Sequence, residues 1–152
     1  VVWDVGAGTG SVSVECALAC PAGQVYAVEK KEEALALLAE NKARFHTGNL
    51  VVVPGSAPAA LEDLPAPDRV FLGGTSGELE EILHLIFRKN PAARVVCTAV
   101  TLETVAEAAR LFAPLEGADM VQVSATRTRQ AGRYHLMDAQ NPVWIFSGEG
   151  RP

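Results

Sequence analysis

The residues most able to do chemistry in this 152-residue chain stand at its beginning. In VVWDVGAGTG a β-branched run carries Asp4 and leads into Gly6, Gly8 and Gly10, which alternate with Ala7 and Thr9. Glycines tolerate positive φ and let a ligand lie directly against the backbone. A helix starting just after them presents free N–H groups to a negative or polar group. That is the chemistry of a loop that holds a nucleotide cofactor. In a dinucleotide fingerprint counted from Gly6 the third glycine belongs at position 11, where this chain has Ser11. The spacing therefore departs from a pyrophosphate cradle. A second anchor, Glu29, ends the next strand-like run, QVYAVE. A carboxylate there can accept from both hydroxyls of a ribose. The competing reading is a surface acid paired with Lys30 or Lys31. With the glycine loop beside it, Glu29 points to an adenosine cofactor.

These residues need a scaffold, and strand-like and helix-like segments alternate along the chain to supply one. VVWDV, QVYAVE, LVVV, RVFLGG and RVVCTAV read as strands. Between them run SVSVECALAC and a helix from Lys31 to Phe45 with Ala34, Leu37, Leu38 and Phe45 on one face. A further helix spans Ser76 to Lys89, with Leu79, Ile82, Leu83 and Ile86 at i, i+3, i+4, i+7. Leu102, Val105, Ala109 and Phe112 mark the last. Strict alternation predicts a parallel sheet with helices on both faces. DMVQVSATRT and PVWIFS follow with no helix between them, only a loop rich in Gly, Arg and Asn, which implies a closing antiparallel hairpin. The expected fold is α/β: a Rossmann-like class I methyltransferase with a mostly parallel seven-stranded sheet, forming a single domain over residues 1–152. D-x-G-x-G-x-G is likewise the spacing of S-adenosylmethionine binders. The chain opens on Val inside a strand, so it reads as a piece of a longer protein.

Composition narrows the partners. Net charge is −5, which argues against nucleic-acid binding, since such domains are usually basic. No apolar run is long enough to cross a membrane and no signal peptide is visible; a cytoplasmic protein is expected. The three cysteines, Cys16, Cys20 and Cys97, lie in apolar runs and read as free thiols. Cys16 and Cys20 share a helical face, but zinc would need two more ligands, so no metal site is assigned.

DVGAGTGSVSVECA, YAVEK, GSAPAAL, FLGGTSGELEEIL, CTAVTLET and RTRQAGRYHLMDAQNPVWIFSG resemble, in order, the decarboxylating precorrin methyltransferases of cobalamin biosynthesis. The resemblance runs through essentially the whole chain. Its more specific parts are GG-x-x-GEL-x-EIL and the terminal R-x-R…G…M…NPV pattern. It implies S-adenosylmethionine as cofactor, methylation of carbon 15 of a tetrapyrrole and loss of CO₂ from the acetate arm on carbon 12. It also implies a homo-oligomer, commonly a tetramer. The cofactor residues that follow are Asp4, Gly6, Ala7, Gly8, Thr9, Gly10, Glu29 and Lys30, then Gly55, Ser56 and Ala57 beside adenine, and Gly73 beside the sulfonium. Ser56 departs from the family, which usually has Asp there to receive the adenine amino group. The family also has an upstream helix that helps close the cofactor site.

A polycarboxylate substrate needs local basic groups in an acidic protein. Val121 to Met137 contains Arg127, Arg129 and Arg133 and no Asp or Glu. Guanidinium forks match carboxylates in bidentate fashion, so Arg129 and Arg133 are the substrate-binding candidates, with Gly74 and Thr98 at the same edge. A solvated basic loop or a subunit contact is the alternative. Glu78 reads either as a proton-transfer group or as the partner of Thr75 in a T-x-x-E capping box. Thr101 suits a helix N-cap. His135 is a second proton-transfer candidate, whereas His46 and His84 read as structural or exposed. Two other readings remain open: another class I methyltransferase acting on tRNA or a small molecule, and a non-catalytic scaffold that binds the cofactor. An NAD-dependent oxidoreductase fits less well.

Overall fold

The alternation written in the sequence becomes one sheet. The computed structural model describes residues 1–151. Five strands are parallel: β1 (Val2–Val5), β2 (Val25–Glu29), β3 (Leu50–Pro54), β4 (Arg69–Leu72) and β5 (Arg94–Ala99). β6 (Glu116–Val123) and β9 (Val143–Glu149) pair antiparallel at the far side, giving the order β3-β2-β1-β4-β5-β9-β6. The helices are α1 (Ser11–Ala19), α2 (Glu32–Arg44), α3 (Leu79–Lys89) and α4 (Leu102–Phe112), with a 3-10 turn at Ala59–Leu61.

Strand alternation divides two cores. Val25 and Ala27 of β2 meet Val14 and Ala17 of α1 and Leu38 of α2. Trp3, Val5 and Val28 point the other way, into a larger core with Leu79, Ile82 and Ile86 of α3 and Ala108 and Phe112 of α4. A central strand covered on both faces reads as a continuous apolar run, which is why VVWDV carries so little polarity. The Phe112 and Phe146 rings meet at 5.9 Å between centroids. Each such buried ring is worth about 2 kcal/mol in transfer free energy.

Four expectations change in detail. α3 begins at Leu79 rather than Ser76, because Ser76 (φ 53°) and Gly77 (φ 86°) are both left-handed and cannot continue a helix backwards. On α2 only Leu38 of the expected face is buried; Leu37 and Phe45 are each about half exposed. On α4, Leu102 of the apolar series that marks the helix is 84% exposed, while Phe112 of that series is fully buried. The Gly-, Arg- and Asn-rich stretch is not a loop. It forms a separate antiparallel hairpin, β7 (Thr126–Ala131) with β8 (Tyr134–Ala139), whose residues are exposed on both faces except Ala131.

Candidate cofactor and substrate site

Strand order reverses between β1 and β4, where open α/β sheets bind ligands beyond the strand carboxyl ends. A cleft of about 470 Å³ lies there, within the range of small-molecule sites. Its floor is the glycine loop. Gly6 and Ala7 donate to the Val28 carbonyl at 2.9 and 3.0 Å, which pins the loop to β2. Gly6 has φ 73°, and a Cβ there would come within 2.8 Å of the Gly74 nitrogen. The loops leaving β1 and β4 therefore touch backbone to backbone, which only glycine permits. Gly73 N–H donates to the Val5 carbonyl at 2.9 Å and closes the same seam.

Glu29 is the best-organised side chain of the cleft. Its Oε2 accepts from Gly8 N–H at 2.8 Å, and Oε1 accepts from Lys30 and Lys31 N–H at 2.8 and 2.9 Å. Partial burial pulls its pKa up, but these three N–H groups and the Lys31 charge together outweigh it and hold the carboxyl below its ordinary value. The result is an ionised acceptor fixed in place, with Oε1 taking two N–H bonds and Oε2 one, so that Oε2 retains a lone pair for a ligand hydroxyl.

Asp4 lies beneath the loop at 1% exposure. Ser13 of α1 donates its hydroxyl to Oδ2, while Oδ1 is buried without a protein partner. Burial pushes this carboxyl from 3.8 up to about 6; hydrogen bonds from Ser13 offset part of the rise and nearby Glu29 adds to it. On the far wall Gly55, Ser56 and Ala57 line the cleft. The Ser56 hydroxyl is engaged only by the Ala57 carbonyl at 3.3 Å, a weak bond that a ligand can replace. At the mouth Lys30 Nζ donates to Ser76 Oγ at 3.0 Å, joining the end of β2 to the loop before α3.

Gly6, Gly8, Thr9, Glu29 and Lys30 all line this cleft, as does Gly74. Asp4, Ala7, Gly10 and Gly73 lie under or beside it rather than on its surface. Sequence reasoning missed Glu33, Ala34 and Leu37 on the first turns of α2, as well as Val5, Val28, Lys31, Thr75 and Ser76. The available signal was the half-apolar stripe of α2, which turns toward the cleft instead of the core.

The other predicted residues lie outside the cleft. Thr98 is half-buried on β5 and donates to the Leu72 carbonyl at 3.4 Å. Glu78 is the exposed N-cap residue of α3, and no side-chain bond caps that helix. The capping box with Thr75 is therefore not formed: Thr75 is buried three residues before the cap and its carbonyl accepts from Glu78 N–H at 2.9 Å. Thr101 does cap α4, accepting from Thr104 N–H at 3.3 Å. Arg129, Arg133 and His135 stand on the hairpin. Arg129 faces Leu136 across the ladder and Gln130 faces His135, so Arg129 and His135 project to opposite sides. Arg133, in the turn, lies over the Tyr134 ring at 5.1 Å and donates to its hydroxyl at 2.8 Å. Cys97 is buried, its thiol pushed up to about 12, and Cys16 and Cys20 are half-buried free thiols. Among the described residues no group of three or more His, Cys, Asp or Glu is placed to hold a metal ion, and no helix is long and apolar enough to cross a membrane.

Residues 1–149 match the family described as precorrin methyltransferase domain. The chain belongs to this family. A cobalt-precorrin-6B C(15)-methyltransferase (decarboxylating) from Salmonella typhimurium is 37% identical over 147 residues, covering 95% of this chain and 76% of its own. A precorrin-6y C5,15-methyltransferase from Geobacter metallireducens superposes with a TM-score of 0.88 at 34% identity, covering 99% of this chain and 79% of that one. An S-adenosylmethionine-dependent O-methyltransferase from Thermotoga maritima shares the fold alone, with a TM-score of 0.73 at 17% identity, 99% of this chain and 59% of that one. The sheet order and closing antiparallel strands of this precorrin methyltransferase domain are those of class I methyltransferases.

Proposed function

We propose that this chain uses S-adenosylmethionine to methylate carbon 15 of a precorrin or cobalt-precorrin macrocycle and promotes loss of CO₂ from its acetate arm. The observation that carries the cofactor half is Glu29, an ionised acceptor held by three backbone N–H groups above a glycine loop in a cleft of suitable size. Glu29 would receive the ribose hydroxyls, Gly6 and Gly8 would leave room for the amino acid end, and Ser56 with the Ala57 N–H would meet adenine. When bound, the cofactor supplies an activated methyl group. The protein's remaining task is alignment of the carbon nucleophile with that methyl, which accords with a site holding no nucleophile–base pair.

Gly74, at the seam of the β1 and β4 loops, has nothing within 4 Å of where a Cβ would stand and leaves open space for the macrocycle to approach. We assign Arg129 and Arg133 to receive its carboxylates, and Glu78 or His135 to move a proton during decarboxylation. A homo-oligomer, a tetramer as in the family, is the assembly we infer. β6 is a sheet edge whose eight residues are all exposed, among them Met120, Val121 and Val123, and unpaired apolar edges favour pairing with another chain. We place the protein in the cytoplasm.

The decisive experiment is calorimetric titration with S-adenosylhomocysteine, with NADH as control. Micromolar binding of the first alone is expected. Incubation with S-adenosylmethionine and precorrin should then yield a product that has gained one methyl group and lost one CO₂. Binding of NADH, or silence toward both ligands, would overturn the reading.

A further inference from the structure

Resting on the macrocycle reading, we propose that Val100 and Leu102 form an apolar ledge that seats one flat face of the tetrapyrrole, making Leu102 a substrate-positioning residue. The observation is a pair of apolar side chains left outside the core on a firmly built turn. Val100 is 63% exposed, and Leu102, at 84%, is the most exposed large apolar side chain among the described residues. Scattered exposed leucines are ordinary, but this pair is not scattered. Thr101 between them is extended (φ −111°, ψ 151°), so its two neighbours leave the chain on the side opposite to it. Its own hydroxyl is turned back into the helix, donating to Thr104 Oγ1 at 2.9 Å and accepting from Thr104 N–H. The turn is therefore held by a formed N-cap, and Leu102 stands exposed while Val105 and Phe112 of the same helix pack against the core.

Strand register gives the ledge its place. Leu72 of β4 stands beside Cys97 of β5, so the chain reaching Gly73 and Gly74 and the chain reaching Val100 leave neighbouring strands at the same edge. On the other side Ala99 pairs with Trp144, and Val143 pairs with Val123. The base of the Arg-bearing hairpin therefore rises from that same corner, with half-buried Trp144 between. The ledge stands between the glycine seam of the cofactor cleft and the arginines. A ligand that spans all three must be flat and apolar in its middle and anionic at its rim. A tetrapyrrole with acidic side arms has that distribution.

The test compares wild type with L102D and L102M. Uroporphyrin I, a planar polycarboxylate porphyrin, serves as the probe, read by quenching of tryptophan fluorescence, for which Trp144 is the nearer reporter. L102D should weaken probe binding about tenfold, the worth of one buried Leu side chain. It should raise KM for precorrin to a similar degree with kcat and S-adenosylhomocysteine affinity unchanged. L102M should behave as wild type. Equal probe affinity in all three proteins would overturn the ledge and leave the methyltransferase reading standing. So would an L102D protein whose defect tracks a change in assembly size on gel filtration, since the pair would then be a subunit contact. Wild-type protein that binds S-adenosylhomocysteine but neither uroporphyrin nor precorrin would remove the macrocycle reading and the ledge together.

Discussion

Asp4→Asn should make the protein more stable and worse at holding its cofactor. The Asp4 carboxyl is buried under the glycine loop, with one oxygen bonded to Ser13 and the other unpartnered. Its rise from 3.8 to about 6 corresponds to about 3 kcal/mol against the folded state at neutral pH. Because the folded pKa is the higher one, the native state holds more protons than the unfolded chain between about pH 4 and pH 6. Stability contributed by this group is greatest at the acid side of that window and is lost as pH rises through about 6. Asparagine keeps an acceptor for the Ser13 hydroxyl and carries no charge, but it buries an amide N–H pair where the lone oxygen stood, at a cost of about 1–2 kcal/mol. A net gain of about 1–2 kcal/mol is expected at pH 7.5, shrinking to nothing near pH 4.5. Urea unfolding of both proteins at the two pH values measures it. A difference independent of pH would refute the reasoning. Ionised buried carboxyls without partners are kept where function needs them, so D4N should also bind S-adenosylhomocysteine about tenfold more weakly. Unchanged affinity would make Asp4 only an anchor for α1.

Gly10→Ala should destabilise by about 3 kcal/mol in urea, since φ is 82° and the new Cβ would run into Leu38 Cδ1. Gly8→Ala, with φ 56° and nothing within 4 Å, should cost only about 1 kcal/mol of backbone strain yet abolish detectable cofactor binding in calorimetry. Glu29→Gln should weaken S-adenosylhomocysteine at least about tenfold, because an amide nitrogen replaces one of two oxygens that already serve backbone N–H groups. Glu78→Gln leaves stability unchanged, there being no cap bond to lose. A fall in decarboxylation rate in that variant would mark Glu78 as a proton carrier; an unchanged rate would return the role to His135 or to the macrocycle itself. Charge reversal at Arg133 should raise KM for precorrin without moving the cofactor affinity.

The parts of this fold readable from sequence are those where burial dictates residue type. β1 and β2 are sheet-central runs and had to be apolar; α3 buries Leu79, Ile82, Leu83 and Ile86 at the spacing its sequence shows. The cofactor loop was readable because glycines at positions 6 and 10 answer backbone demands visible in their spacing, namely left-handed φ and contacts that exclude a Cβ. The hairpin was not. Arg127, Thr128, Arg129 and Gln130 have no apolar face to betray a strand, since both faces of β7 are exposed. Neither was the true start of α3, because the Ser76–Gly77 break is a pair of left-handed residues, one of them not glycine.

Leu37 and Leu102 were misplaced for the same reason. Helical periodicity finds apolar residues that avoid water, but it cannot tell a core that is always present from a ligand that comes and goes. Leu37 has the spacing of a core residue and lines the cleft where we propose the cofactor binds. Leu102 has that spacing too and stands outside any core. In an enzyme whose substrate and cofactor are both large and partly flat, some apolar positions are reserved for them. Such positions show up only when a periodic pattern and the folded burial disagree. That disagreement singles out α2's first turns and the start of α4, the two ends of the path we propose from adenosine to macrocycle.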